Sequence, residues 1–113
     1  MSVDAKSRHM DFFIIEVDTE AANLTIFDGD NPAKFRIMDV LVTTIVTAGS
    51  GTVKLTDGTS DITNAIVAAT TKAVTRAGTI DIAKNEIDAG GTLKVVVANS
   101  ADARIFILCV RTD

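Results

Sequence analysis

The stretch "GGTLKVVVANSADARIFILCVRTD", residues 90–113, carries the reading of the fold. Leu93, Val95 and Val97 alternate as one face of a strand, while Val96 and Ala98 make its other face apolar as well. After a polar loop, Ile105, Ile107 and Cys109 point one way and Phe106, Leu108 and Val110 the other. Alternation with a period of two is the mark of a strand. An antiparallel strand usually keeps one face wet. Two successive strands with two apolar faces each predict a layered β structure, and they leave a second face to be covered.

The rest of the chain repeats this pattern in shorter pieces. "DFFIIEV" (11–17) places Phe13, Ile15 and Val17 on one face and Phe12 and Ile14 on the other. "NLTIFD" (23–28) sets Leu24 and Ile26 against Thr25 and Phe27. "KFRIMDVLVTTIVT" (34–47) is the longest strand signal, with Phe35, Ile37, Leu41 and Ile45 on one parity and Met38, Val40, Val42 and Val46 on the other. Its length predicts one long bent strand, or two meeting near Asp39. "TVKLT" (52–56) is cleanly one-sided through Val53 and Leu55. "DITNAIVAATTKAVT" (61–75) fits a helical stripe through Ile62, Ala65, Ile66 and Ala69, with Asp61 as a cap. Its threonines and its strand-like neighbours favour two strands instead, near 62–67 and 72–76.

Between these runs stand turn formers at short, fairly regular intervals: "DTEAA", "DGDNP" with the chain's one proline, "AGSG", "DGTSD" and Gly90-Gly91. The glycine pair before Thr92 predicts a bulge or tight bend at a sheet corner. Many short strands with such spacing predict an all-β chain, an antiparallel β-sandwich. Its 113 residues, 47% of them hydrophobic, suit one domain. Residues 1–10 read as a flexible arm and 11–113 as a single domain.

Composition narrows the role. The chain has five Phe but no Trp and no Tyr, the rings on which sugar and base recognition usually rest. A net charge of −4 and the absence of a basic stripe argue against a nucleic-acid partner. Residues 1–10 lack the apolar region of a signal peptide, and charge-free runs such as "VLVTTIVTAGSGTV" (40–53) are too short and polar to span a bilayer. The expectation is a chain without membrane or nucleic-acid partners.

Constellations that could carry chemistry are weak. "DGDN" (28–31) offers oxygens to calcium, but no further ligands ending in a Glu follow, and an ordinary turn is the better reading. Asp81, Glu86 and Asp88 could supply paired carboxylates, yet they stand beside Lys84 and Asn85 in what reads as a solvated loop. A serine or cysteine nucleophile would need a histidine, and the one histidine, His9, lies in the arm. "GSG" (49–51) lacks the lysine and helix of a phosphate loop. Cys109, the lone cysteine, reads as a small buried hydrophobe. No enzyme, cofactor or metal site is expected.

The segment from Arg36 to Val110 resembles the small jelly-roll decoration, or cement, proteins on the heads of tailed bacteriophages. The likeness lies in "VLVTTIVTAGSGTVKLTDG" (40–58) and in "AVTRAGTID" (73–81) followed by "EIDAGGTLKVV" (86–96). It implies a jelly-roll fold and a structural role on the capsid exterior, in a protein made in the host cytoplasm. It also implies a homotrimer bound to the major capsid protein lattice. Val96, Phe106 and Leu108 are then candidates for the oligomer seam. Val3, Lys6, Arg8 and His9 are candidates for a capsid-contacting arm. The alternatives from other classes are a glycan- or receptor-binding sandwich, such as a fibre tip or lectin-like module, and another virion component of tail or baseplate.

Overall fold

A computed structural model describes residues 12–46 and 50–112, and within them it is all-β. The strands are β1 (Phe12–Asp18), β2 (Leu24–Phe27), β3 (Phe35–Val46), β4 (Thr52–Thr56), β5 (Ile66–Val67), β6 (Val74–Arg76), β7 (Glu86–Ile87), β8 (Leu93–Ala98) and β9 (Asp102–Arg111). The segment with two readings, 61–75, forms β5 and β6 and no helix, though both strands are shorter than the sequence suggests. The arm with Val3, Lys6, Arg8 and His9 lies outside the described residues.

Two antiparallel sheets form the sandwich, one ordered β1-β9-β3-β6 and the other β2-β8-β4-β5, with β7 added to the start of β3. The pairings β1·β9, β2·β8, β3·β6 and β4·β5 are nested, as if one long hairpin had been rolled up on itself. The pairings β9·β3 and β8·β4 then stitch each sheet together. That is a jelly roll. The core between the sheets holds Ile37, Val40, Val42, Ile105 and Ile107 from one side and Val53, Leu55, Leu93 and Val95 from the other.

The long strand is continuous, and it bends where Asp39 stands. The register slips between Ile37 and Asp39, so that Met38 is an extra residue there. The slip exchanges the faces: Phe35 and Ile37 are buried before it, Val40, Val42 and Thr44 after it. Strict parity put Leu41 and Ile45 with Ile37, but Leu41 faces outward with Asp39. Without the bulge the Asp39 carboxylate would point into the core.

The sheets are joined at their corners by short polar segments. Asn99 and Ser100, which carry the chain from β8 to β9, both have left-handed backbone, at φ 55° and 56°. The Asn99 amide donates to the Ser50 carbonyl at 3.0 Å. Thr19, just past β1, is buried and fastens the start of β9: its hydroxyl donates to the Ala101 carbonyl and accepts from the Ala103 amide. At the other corner Gly90 has φ +77°, and a Cβ on Gly91 would stand 2.7 Å from the Asp88 carbonyl oxygen. The glycine pair therefore makes the tight bend that its sequence suggests.

Candidate docking face

The outer face of the β1-β9-β3-β6 sheet can be read off the register, because directly paired residues share a face. One row runs Ile14–Leu108–Asp39, with the bulged Met38 beside it. The next runs Glu16–Phe106–Leu41–Arg76, and the last Asp18–Arg104–Thr43–Val74. Ile14, Leu41, Phe106 and Leu108 with Asp39 enclose a shallow groove of about 130 Å³. Ile14 in the groove is 61% exposed and the bulged Met38 beside Asp39 is 49% exposed, so the apolar surface there is contiguous.

Charged pairs rim this apolar centre. Arg104 donates to Asp18 at 2.9 Å and lies 3.5 Å from Glu16. The guanidinium holds the Asp18 carboxyl below its usual range and is itself raised by that partner. Arg76 meets Asp39 at 3.1 Å. At the lower edge Glu86 is held by Lys34 at 3.3 Å and by Arg36 at 3.1 Å, and these cations, Lys34 first, lower its pKa. An apolar centre inside a charged rim is the anatomy of a protein interface.

The seam residues expected from sequence divide between two surfaces. Phe106 and Leu108 lie on this face. Val96 lies in the other sheet, paired with Lys54 on the outside of β8–β4, across the sandwich from Phe106. A seam between identical faces would hold one of these surfaces, and a head-to-tail seam would set one against the other. The two surfaces are separate because β8 and β9 are neighbours in the chain but belong to different sheets. Val110 shares the outward parity of Leu108 yet is buried, flanked by Phe12 and Arg36.

A second apolar site lies at the end of the sandwich. Four of the five phenylalanines, Phe12, Phe13, Phe27 and Phe35, line a cleft of about 240 Å³ with Pro32 and the Lys34 and Arg111 side chains. The Phe13 and Phe27 rings meet Phe35 edge-on, at centroid distances of 5.4 and 6.1 Å. A third depression, on the far flank of β3, is lined by Arg36, Ile37, Met38, Ile80, Ile82 and Asn85. Ile82 there is 89% exposed. Its loop is tightly held: Asp81 accepts from the Ala83 amide through its side chain and from the Lys84 amide through its carbonyl. Sequence reasoning missed Ile82. The one available signal was an isoleucine in the polar run "DIAKNE" with no strand parity to bury it.

The carboxylate groups with candidate chemistry are engaged in structure. Asp30 accepts from the Asp28 amide in the turn. Asn31 is buried, and its side chain donates to the Asp88 carbonyl at 2.9 Å, tying that turn to the Gly90-Gly91 bend. Asp81 caps its own loop, Glu86 is ion-paired, and Asp88 lies 3.9 Å from Lys34. Asp57, lowered by the Ser60 and Thr59 amides it accepts from, closes the β4 turn. Among the described residues no cluster of three metal-ligating side chains occurs. Cys109 is wholly buried on β9.

Comparison with protein-family models, curated proteins and solved structures found no match to this chain.

Proposed function

We propose that the protein is a structural decoration, or cement, protein of a tailed-phage head. It acts as a homotrimer on the capsid exterior and grips the major capsid protein lattice through the outer face of the β1-β9-β3-β6 sheet. The observation that carries this reading is that face itself, an exposed apolar groove within a rim of ion pairs. The resemblance of residues 36–110 to cement proteins supplies the partner, and viral capsid domains are among the users of the jelly roll. One oligomer touching several capsid subunits gains effective concentration at each contact after the first. Binding the assembled shell in preference to free subunits stabilises the shell by mass action.

The test is co-sedimentation with assembled shells and, separately, with unassembled capsid protein. The protein should pellet with shells only. Leu108→Lys puts a charge in the middle of the groove, at a side chain more than a third exposed, and should abolish pelleting while the circular dichroism stays unchanged. Wild-type protein that ignores shells but binds free glycan would establish the lectin-like reading instead.

A further inference from the structure

We propose that the two flanks of the β1-β9-β3-β6 sheet bind each other between copies, head to tail, so that β1 of one copy lies along the β6 and Ile82 side of the next. The inference deepens the oligomeric reading above by naming the surfaces. Its first support is strand direction. β1, β9, β3 and β6 alternate antiparallel, so β1 and β6 run oppositely. A second copy placed beside the first without being turned over continues that alternation, β1 against β6. Both are outermost strands of the sheet among the described residues. Exposed edges of this kind are templates for pairing.

The second support is the charge and apolar surface that each flank presents. At the lower end, where Phe12 stands level with Val110 and Arg36, the β1 flank exposes Phe12 (60%) and Ile14 (61%). On the opposite flank that row ends at Glu86, held by Lys34 and Arg36, and Ile82 is exposed nearby, beside Met38 and Arg36. Above it, the row that begins at Glu16 ends at Arg76, and the row that begins at Asp18 ends at Val74. Glu20 is exposed in the turn beyond Asp18, and Lys72 is exposed just before Val74. The upper β1 flank is therefore acidic, through Glu16, Asp18 and Glu20, and the upper β6 flank basic, through Lys72 and Arg76. The compensating charges, Arg104 for Glu16 and Asp18 and Asp39 for Arg76, sit one strand inward on β9 and β3. The outermost strands thus keep opposite signs. A two-fold pairing of β1 with β1 would instead set acidic strand against acidic strand, which is unfavourable.

An interface between unlike surfaces closes into a ring when its rotation permits. Every copy in the ring then gives one flank and receives the other, and the docking groove is repeated around it.

The experiment measures mass by light scattering at micromolar concentration for the wild type, Phe12→Asp and Ile82→Asp, and for an equimolar mixture of the two variants. Wild type should exceed twice the 11.9 kDa chain mass. Each variant should be a folded monomer. The mixture should form a dimer and nothing larger, because one intact flank from each variant can still meet. Should Phe12→Asp fail to fold, Glu16→Arg at the same flank takes its place. A monomeric wild type, a variant that keeps the wild-type mass, or a mixture that stays monomeric overturns the proposal. A monomer that still pellets with capsid shells would remove this interface and leave shell binding intact. An oligomer that ignores shells would do the reverse.

Discussion

Cys109 shows what single side chains are asked to do in this core. It sits on the inner face of β9 with no exposed surface, and burial pushes its thiol from the ordinary 9.0 up to about 12. The fold therefore favours the protonated form, while the unfolded chain ionises first. Stability should be intact below pH 9 and fall as pH rises from there toward 12, with a Cys109→Ala variant lacking that part of the decline. Native protein should react slowly with thiol reagents and denatured protein quickly. Cys109→Ser should cost about 1–3 kcal/mol in denaturant melts, the range for burying a poorly satisfied hydroxyl. Thr44 offers the opposite case. Its buried hydroxyl has no hydrogen-bond partner among the described residues, so Thr44→Val should be neutral or stabilise by up to about 1 kcal/mol. Gly51 is irreplaceable for want of space. A Cβ there would lie 2.8 Å from both the Ala101 Cβ and the Ala68 carbonyl oxygen. Gly51→Ala should lower the denaturation midpoint by an amount equivalent to about 1–3 kcal/mol.

Among the elements, β3 is the one on which both the core and the outer apolar groove depend. Its bulge keeps Asp39 outside, where the carboxylate meets Arg76 and accepts from the Val40 amide. Between β6 and β7 the strand has no full neighbour, and Asn85 stands in for one. It accepts from the Ile37 amide through its carbonyl at 2.8 Å, and its side chain donates to the Ile37 carbonyl at 2.9 Å. Asn85→Ala should leave that buried carbonyl short of a donor, at a cost of about 1–3 kcal/mol. Hydrogen exchange should then rise at the β3–β7 end and stay unchanged where β4 pairs β8. Uniform loss of protection across both sheets would show that Asn85 does not act locally.

At the scale of the whole molecule, the nested pairing makes the first and last strands of the described residues partners. β1 joins β9, and β9 lies inside its sheet between β1 and β3. Such non-local pairing makes folding slow, in the millisecond to second range typical of β topologies. Far-ultraviolet circular dichroism should be β-dominated, with negligible helix. Where copies associate, the melting temperature should rise with protein concentration. Added salt should weaken that rise, since it screens the attraction between an acidic flank and a basic one. A melting temperature independent of concentration would leave the flanks without partners.

The all-β class, the corners and much of the core were legible in the residues alone. Alternation at Leu93, Val95, Ile105, Ile107 and Cys109 and at Val53 and Leu55 is a local property, and those side chains are buried as their parity requires. Gly90 and Gly91 announced their bend because the positive φ of the first and the lack of room for a Cβ at the second both call for glycine. Tertiary structure decided the rest. Parity cannot reveal a bulge, so the core side of β3 beyond Asp39 was hidden until β9 paired with it. Adjacency in sequence cannot tell which of two sheets a strand joins, so Val96 and Phe106 looked like one surface and lie on two. Apolar side chains such as Ile14, Met38 and Ile82 carry the same hydrophobicity whether buried or bare. Only the packing of the other strands determines which of them are left for a partner.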